Sequence, residues 1–283
     1  MIINSRFKTN LKIQFKKNKL TKFCIITLTI IFLGAVFAFL SPYNPNQIDI
    51  SAKLQGPSLK HFFGTDELGR DYFTRALYGA RVSLTIGIFS MLVSVTIGTL
   101  VGAISGYMGG KVDAIIMRSI DILMAIPVFF LILIVNAYLR PSFINIILII
   151  GIFSWMGIAR LVRSETLSLK KRDFVLCSKS LGASNWYIIR KHIISNISST
   201  VIVASTINIA DAILMESVLS FLGLGVQQPM ASWGSMLQAA QTRMSEQAYL
   251  AVFPGVLILL TALSFNALGD VLRTALEPKI NDL

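Results

Sequence analysis

Side chains able to do chemistry are few in this sequence, and most stand apart from one another. The two histidines, His61 and His192, are about 130 residues apart, and no metal-ligand spacing includes either. GYMGGKVD at 106–113 has the outline of a phosphate loop. It carries Ser105 where the first glycine belongs and Val112 where Ser or Thr would hold magnesium. No G-x-S-x-G turn occurs. These absences argue against a catalytic centre, against ATP binding through that loop and against a bound cofactor. Cys24 and Cys177 are expected as reduced thiols acting as small apolar side chains.

Two other groups of residues can act by binding and position. Within one long apolar run lie Asn208, Asp211 and Glu216, and polar groups at membrane depth are costly enough to suggest function. At 100° per residue Asn208, Asp211 and Met215 share a stripe, with Glu216 about 100° from its centre. That pattern suits a water-filled path. It equally suits Asp211 bonding to a neighbouring helix and Glu216 lying near the outer interface. Arg118 and Asp121 have the spacing of an i,i+3 ion pair. The other group is RSETLSLKKRDFVLCSKSLGASNWYIIRKHI, residues 163–193, a basic stretch between strongly apolar segments.

These residues must be positioned by membrane helices. The chain has 283 residues, 54% hydrophobic and 14% charged. Its apolar residues gather in blocks of about 20, the length of a helix crossing a bilayer, and blocks that long exclude barrel strands. The expected fold is all-α and polytopic, with six transmembrane helices near 23–41, 83–106, 115–139, 142–160, 200–222 and 248–270. The first reads as a retained anchor, since FAFLSPYNP offers no small-residue cleavage site. It follows a basic tail (1–22) and precedes an external segment (42–81). A five-helix core fills 82–283, with a loop at about 163–196. Gly98, Gly102 and Gly106 form a small-xxx-small series that predicts close helix packing.

The net charge of +12 does not mark a nucleic-acid binder. Residues 1–22 hold seven Lys/Arg and no acid, and residues 160–191 hold eight Lys/Arg against two acids, so these two segments account for all of it. Basic charge beside membrane spans follows the positive-inside rule. Four spans separate the two segments, which places both, and both termini, in the cytoplasm.

Within the loop, Asp173 to Leu181 favours helix, Gly182 allows a corner, and Ser184 can cap a second short helix. On that helix Trp186, Ile189 and Ile193 are expected on one face, and Arg190 and Lys191 on the other. A helix showing aromatic and basic groups can lie on anionic lipid or dock in a protein groove, and its physics alone does not choose.

RDFVLCSKSLGASNWYIIRKHI resembles the cytoplasmic "EAA" loop of ATP-binding-cassette importer permeases, with Gly182 on the motif glycine. FGTDELGRDYFTRALYGARVSL (63–84), MRSIDILMAIP (117–127), WMGIARLVRSETLSL (155–169), ESVLSFLGLG (216–225) and PMASWGSML (229–237) resemble successive blocks of the C-type permeases of dipeptide, oligopeptide and nickel systems. Leu176 replaces the motif glutamate, Cys177 and Ser178 replace its two alanines, and Ser195 replaces its proline. The missing proline would let the second loop helix run on towards the fifth span. The resemblance implies a type I importer permease, half of a translocation path, in the bacterial cytoplasmic membrane. Its partners would be a second homologous permease, two cytoplasmic ATPases that use ATP and magnesium, and an extracytoplasmic binding protein. Leu181, Gly182, Ala183, Ser184, Trp186, Tyr187, Arg190, Lys191 and His192 would meet an ATPase. Asn208, Asp211, Met215 and Glu216 would face the path. The alternatives are a nickel or metallophore permease, an ion-coupled secondary transporter using Asp211 and Glu216, or a membrane signalling scaffold.

Overall fold

The structure, a computed structural model, describes residues 19–139 and 142–276. Most of the basic tail therefore lies outside the described residues. Helix α1 covers Lys19–Val36, α2 Tyr72–Met108, α3 Gly110–Met124, α4 Val128–Tyr138 and α5 Phe143–Leu169. The short α6 covers Asp173–Ser180, α7 runs as one rod over Asn185–Phe221, α8 covers Trp233–Ala240, and α9 covers Tyr249–Leu276. Among the described residues there is no strand, only one isolated bridge between Thr65 and Asp71.

α2 is the axis of the bundle. Asp71 caps it by accepting from the Thr74 amide at 2.8 Å, satisfying one of the orphan donors of its first turn. At 37 residues it is about 55 Å long, more than the hydrocarbon needs. The surplus extends beyond the expected start near 83, so its first turns belong to a folded cap.

α2 and α5 run parallel. Ser90 donates to the Ile147 carbonyl at 3.1 Å, Gly98 faces Ile158, and Gly106 faces Thr166. The glycine series lets the two backbones approach: a Cβ on Gly102 would stand 2.4 Å from the Ala159 carbonyl oxygen. Two parallel neighbours require the chain between them to cross back. α3 and α4 make that crossing as one span broken by a bend of 78°. The single helix expected over 115–139 is therefore corrected. Pro127 has no N–H and disfavours helical geometry at the residue before it, so the helix stops at MAIP and restarts at Val128. With the bent pair taken as one span, the described residues hold six candidate crossings.

α7 lies antiparallel to α2: Ser83 bonds Glu216, Gly87 faces Ile213, and Ser94 bonds Asn208. α1 joins a core with α2 and α9 through Ile31, Ala35, Leu84, Ile258 and Phe265. Arg81 clamps the end of α1 by donating to the carbonyls of Ala35 and Val36.

The segment between α1 and α2 folds over one end of the bundle. Asp66 pairs with Arg70 at 2.7 Å and with Arg75 at 3.5 Å, all three being buried. His61 meets Asp71 at 2.8 Å. Tyr249 donates to the Thr65 carbonyl at 2.8 Å. Buried ions of this kind are kept when paired and hydrogen-bonded, and these pairs hold the cap in shape.

Candidate functional site: a loop face and a lined groove

At the opposite end of the bundle, α6 closes with a glycine cap. The Ala183 amide donates to the Ser178 carbonyl at 3.1 Å and the Gly182 amide to the Lys179 carbonyl at 3.0 Å. This is the bond pair of a Schellman ending, which needs a left-handed residue, and Gly182 has φ +81°. Ser184 then caps α7, accepting from the Tyr187 amide at 3.3 Å. The expected helix, glycine corner and helix are all present.

The second helix differs from the expectation. It is not short: Asn185–Ile188 passes through a π-helical turn at Ile189–Ile194 directly into Ser195–Phe221. With Ser195 in place of a proline, nothing removes a backbone donor at that join. The facing also changes. Ile188, Ile189, Ile193 and Ile197 are buried with Val175 against Ala103, Tyr107, Ile158 and Val162. Trp186 does not join them and stands 55% exposed. Turns bonded i→i+5 take more residues than α turns, so the inward face slips from the 100° stripe.

The loop is thereby fixed to the ends of α2 and α5 and presents an apolar and basic surface. Leu181 is 87% exposed and Tyr187 50%, and Phe174 and Leu176 are exposed beside them. Gly182, Ser184, Lys179, Arg190 and Lys191 are exposed, while Ala183 and His192 are half-buried. His192 sits between the rings of Phe174 and Tyr187, with Nε2 3.3 Å from the Ser178 hydroxyl. Cys177 is exposed and Cys24 buried, so only Cys24 occupies the apolar interior expected for both. Asp113 takes two bonds from Arg163, one of them 2.6 Å, joining α3 to α5 beside the loop. Asp121 pairs with Arg160, on α5, not with Arg118 as the i,i+3 spacing suggested.

The residues of the 208–216 set separate. Asp211 is exposed within this chain and lines a groove of about 600 Å³ between α5, α7 and the end of α9. Asn208 also lines it but is buried, its Oδ1 accepting from Ser94 at 2.6 Å. Met215 packs beside Ile86, Ile132 and Leu219 and is absent from the groove wall.

Glu216 is enclosed at 0% exposure, which corrects its assignment to a path. Its carboxyl accepts from Ser83 at 3.1 Å and from Ser220 at 2.6 Å. Ser83 also accepts from the Trp233 amide, and Ser220 from the Val226 amide. Glu216 thus joins α2, α7, the turn after it and α8, whose fully buried Trp233 donates to the Ala76 carbonyl at 3.0 Å. Replacing Glu216 with alanine strips the acceptor from two buried hydroxyls, at about 1–3 kcal/mol each. Glu216→Ala should therefore lower the unfolding midpoint in detergent by several degrees, and Glu216→Gln, which keeps one acceptor, by much less. Equal midpoints for both variants would contradict the node. Sequence reading missed this node and the buried Asp66–Arg70–Arg75 group. The block FGTDELGRD was noticed, but charges so close in sequence do not reveal that they will be buried together.

Residues 98–282 match the family described as binding-protein-dependent transport system inner membrane component. Residues 11–57 match the N-terminal TM domain of oligopeptide transport permease C. The dipeptide transport system permease protein DppC of Bacillus subtilis is 41% identical over 269 residues, covering 94% of this chain and 84% of that protein. The oligopeptide transport system permease protein OppC of Haemophilus influenzae is 42% identical over 272 residues, covering 95% and 87%. The glutathione transport system permease protein GsiD of Pectobacterium atrosepticum is 42% identical over 257 residues, covering 90% and 85%.

Proposed function

Since this chain belongs to the family of binding-protein-dependent transport system inner membrane components and is a membrane permease subunit, we propose that it forms half of the path of an ATP-driven peptide importer. The relatives named for dipeptide, oligopeptide and glutathione transport support peptides as cargo and do not favour nickel. The fully enclosed Glu216 removes one of the two carboxylates that an ion-coupled mechanism would use. The chain lies in the bacterial cytoplasmic membrane with its loop end and both termini in the cytoplasm, a placement that the basic charge of residues 1–22 and 160–191 supports.

The observation that carries the reading is the loop face itself, an exposed aromatic and basic patch bolted to α2 and α5 and continuous with α7. Two partner ATPases bind and hydrolyse ATP with magnesium, and one takes the loop over 172–194 into a surface groove. Leu181, Trp186 and Tyr187 give up exposed apolar area there, and Lys179, Arg190 and Lys191 steer the approach. Basic side chains at this depth also hold anionic lipid headgroups. When the ATPases close, the loop cannot yield alone because its isoleucines are locked in the core. The push passes into α7, about 55 Å of continuous helix ending beyond the Glu216 node. A second, homologous permease completes the path, and the pair rocks as rigid bodies between inward and outward openings. An extracytoplasmic binding protein delivers peptide to the capped end.

Co-expression with the candidate ATPases and second permease tests the assembly. The chain should co-purify with both, and purification without any ATPase under conditions that preserve the permease pair would contradict the reading.

A further inference from the structure

The groove between α5, α7 and α9 has an uneven distribution of charge. Among the described residues its wall carries three charged side chains: Glu165 and Arg273 towards the loop end, and Asp211 at the far end of its α7 side. Glu165 and Arg273 are of opposite sign, and Asp211 stands apart from both along the groove. From Asp211 to Ser199 the wall follows about 18 Å of α7. An extended tetrapeptide spans at most about 14 Å, and about 600 Å³ lies within the usual range for a small-ligand site. The remaining polar lining includes Ser154, Ser199, Thr200 and Asn208. Hydroxyl and amide groups serve a peptide backbone of any sequence.

Asp211 differs from the other polar groups of α7. Asn208 is satisfied by Ser94, and Glu216 by Ser83 and Ser220. No donor bonds the Asp211 carboxylate among the described residues. A carboxylate at membrane depth facing open space is expensive to keep for packing alone, and Asp211 is exposed on the groove wall. Its cost is offset when a cation occupies the groove.

Resting on the peptide-importer reading, we propose that Asp211 is a cargo-selecting site, where its carboxylate receives the α-ammonium or a cationic side chain of a passing peptide. The site favours peptides of positive charge over those of negative charge within the permease, independently of the binding protein. Every zwitterionic peptide carries the ammonium it needs, so selection is graded by the net charge of the rest.

The test uses the complete complex in proteoliposomes, with the binding protein saturated by each cargo in turn so that its own affinity drops out. Lys-Ala, Ala-Ala and Glu-Ala serve as probes. The wild-type complex should transport Lys-Ala faster than Glu-Ala by roughly three- to tenfold, the size of a partly screened charge pair. Asp211→Asn should bring that ratio close to one, Asp211→Glu should restore it, and Asp211→Lys should invert it. Ala-Ala, which keeps the α-ammonium, should also lose uptake in Asp211→Asn, by less than Lys-Ala and by more than Glu-Ala. Subunit co-purification confirms that each variant assembles. An unchanged ratio in Asp211→Asn, or no ratio in the wild type, overturns the selecting site and leaves the importer reading intact. A wild-type complex that moves none of the three peptides overturns the peptide reading, and this proposal falls with it.

Discussion

A Gly182→Asp variant is expected to insert and assemble its six spans while losing cargo-stimulated ATP hydrolysis by about tenfold or more. The two effects separate because of where the corner sits. A Cβ on Gly182 meets nothing within 4 Å, so no clash arises inside the subunit. The backbone there is left-handed, with φ +81°. A residue with a Cβ pays about 1–2 kcal/mol in that region, less for aspartate than for most. Stability therefore drops by only a few degrees in unfolding midpoint. The new carboxylate, however, projects from the loop face beside Lys179, Arg190 and Lys191, reversing charge where the ATPase is proposed to dock. Gly182→Ala supplies the strain without the charge and should lose only part of the stimulation. The measurement is hydrolysis by the reconstituted complex with loaded binding protein, alongside a thermal melt of the variant. Wild-type stimulation by Gly182→Asp would end the assignment of this corner to coupling.

The second large effect is structural. Gly102→Leu should abolish the folded permease core. A Cβ at Gly102 would lie 2.4 Å from the Ala159 carbonyl oxygen and 2.9 Å from Val162 Cβ, and a carbonyl in the middle of α5 has no easy movement. α2 and α5 must separate along their whole parallel contact. Overpacking a tight core typically costs about 1–3 kcal/mol, and here the obstruction is backbone, so the cost is at the upper end or beyond. The variant should fail to give a monodisperse peak in detergent, or should melt at least about 10 °C lower. Gly255→Ala is the control. Its Cβ meets nothing within 4 Å, and it should match wild type. A Gly102→Leu protein with wild-type melting would mean that the two helices do not approach as described.

Much of this fold is legible in the sequence because membrane spans and their loops follow simple rules. Hydropathy locates the six crossings, and the glycine spacing at 98, 102 and 106 marks the close face of α2. Ser184 and Gly182 announce a cap and a corner by residue type alone. The errors are equally physical. Hydropathy does not see that Pro127 divides one crossing into two helices, since both halves are apolar. It places the start of α2 at the bilayer edge. The stripe of Phe73, Leu77 and Val82 gives helical character from Arg70 to Arg81, but the burial of those turns depends on the cap and α8 folding over them. A uniform 100° wheel puts Trp186 on one face with Ile189 and Ile193 because it cannot anticipate a π turn at Ile189–Ile194. Pairing by sequence spacing joins Asp121 to Arg118, whereas the partner Arg160 comes from another helix.

The candidate site divides along the same line. The loop face was readable because its residues are contiguous. The wheel sets Glu216 about 100° from the stripe of Asn208, Asp211 and Met215, but the enclosure of Glu216 was not legible, because only the neighbouring helices decide which position is buried. Ser83 and Trp233, which settle the place of Glu216, are over a hundred and about twenty residues away from it in the chain.

The central claim is that this chain transmits the state of an external peptide receptor to cytoplasmic ATPases. It is tested most directly by ATP hydrolysis in proteoliposomes holding this chain, its partner permease and both ATPases, with binding protein added empty, peptide-loaded or metal-loaded. The account predicts that peptide-loaded receptor stimulates hydrolysis well above the empty receptor and that metal-loaded receptor does not. A correctly assembled complex whose hydrolysis ignores peptide-loaded receptor would contradict it.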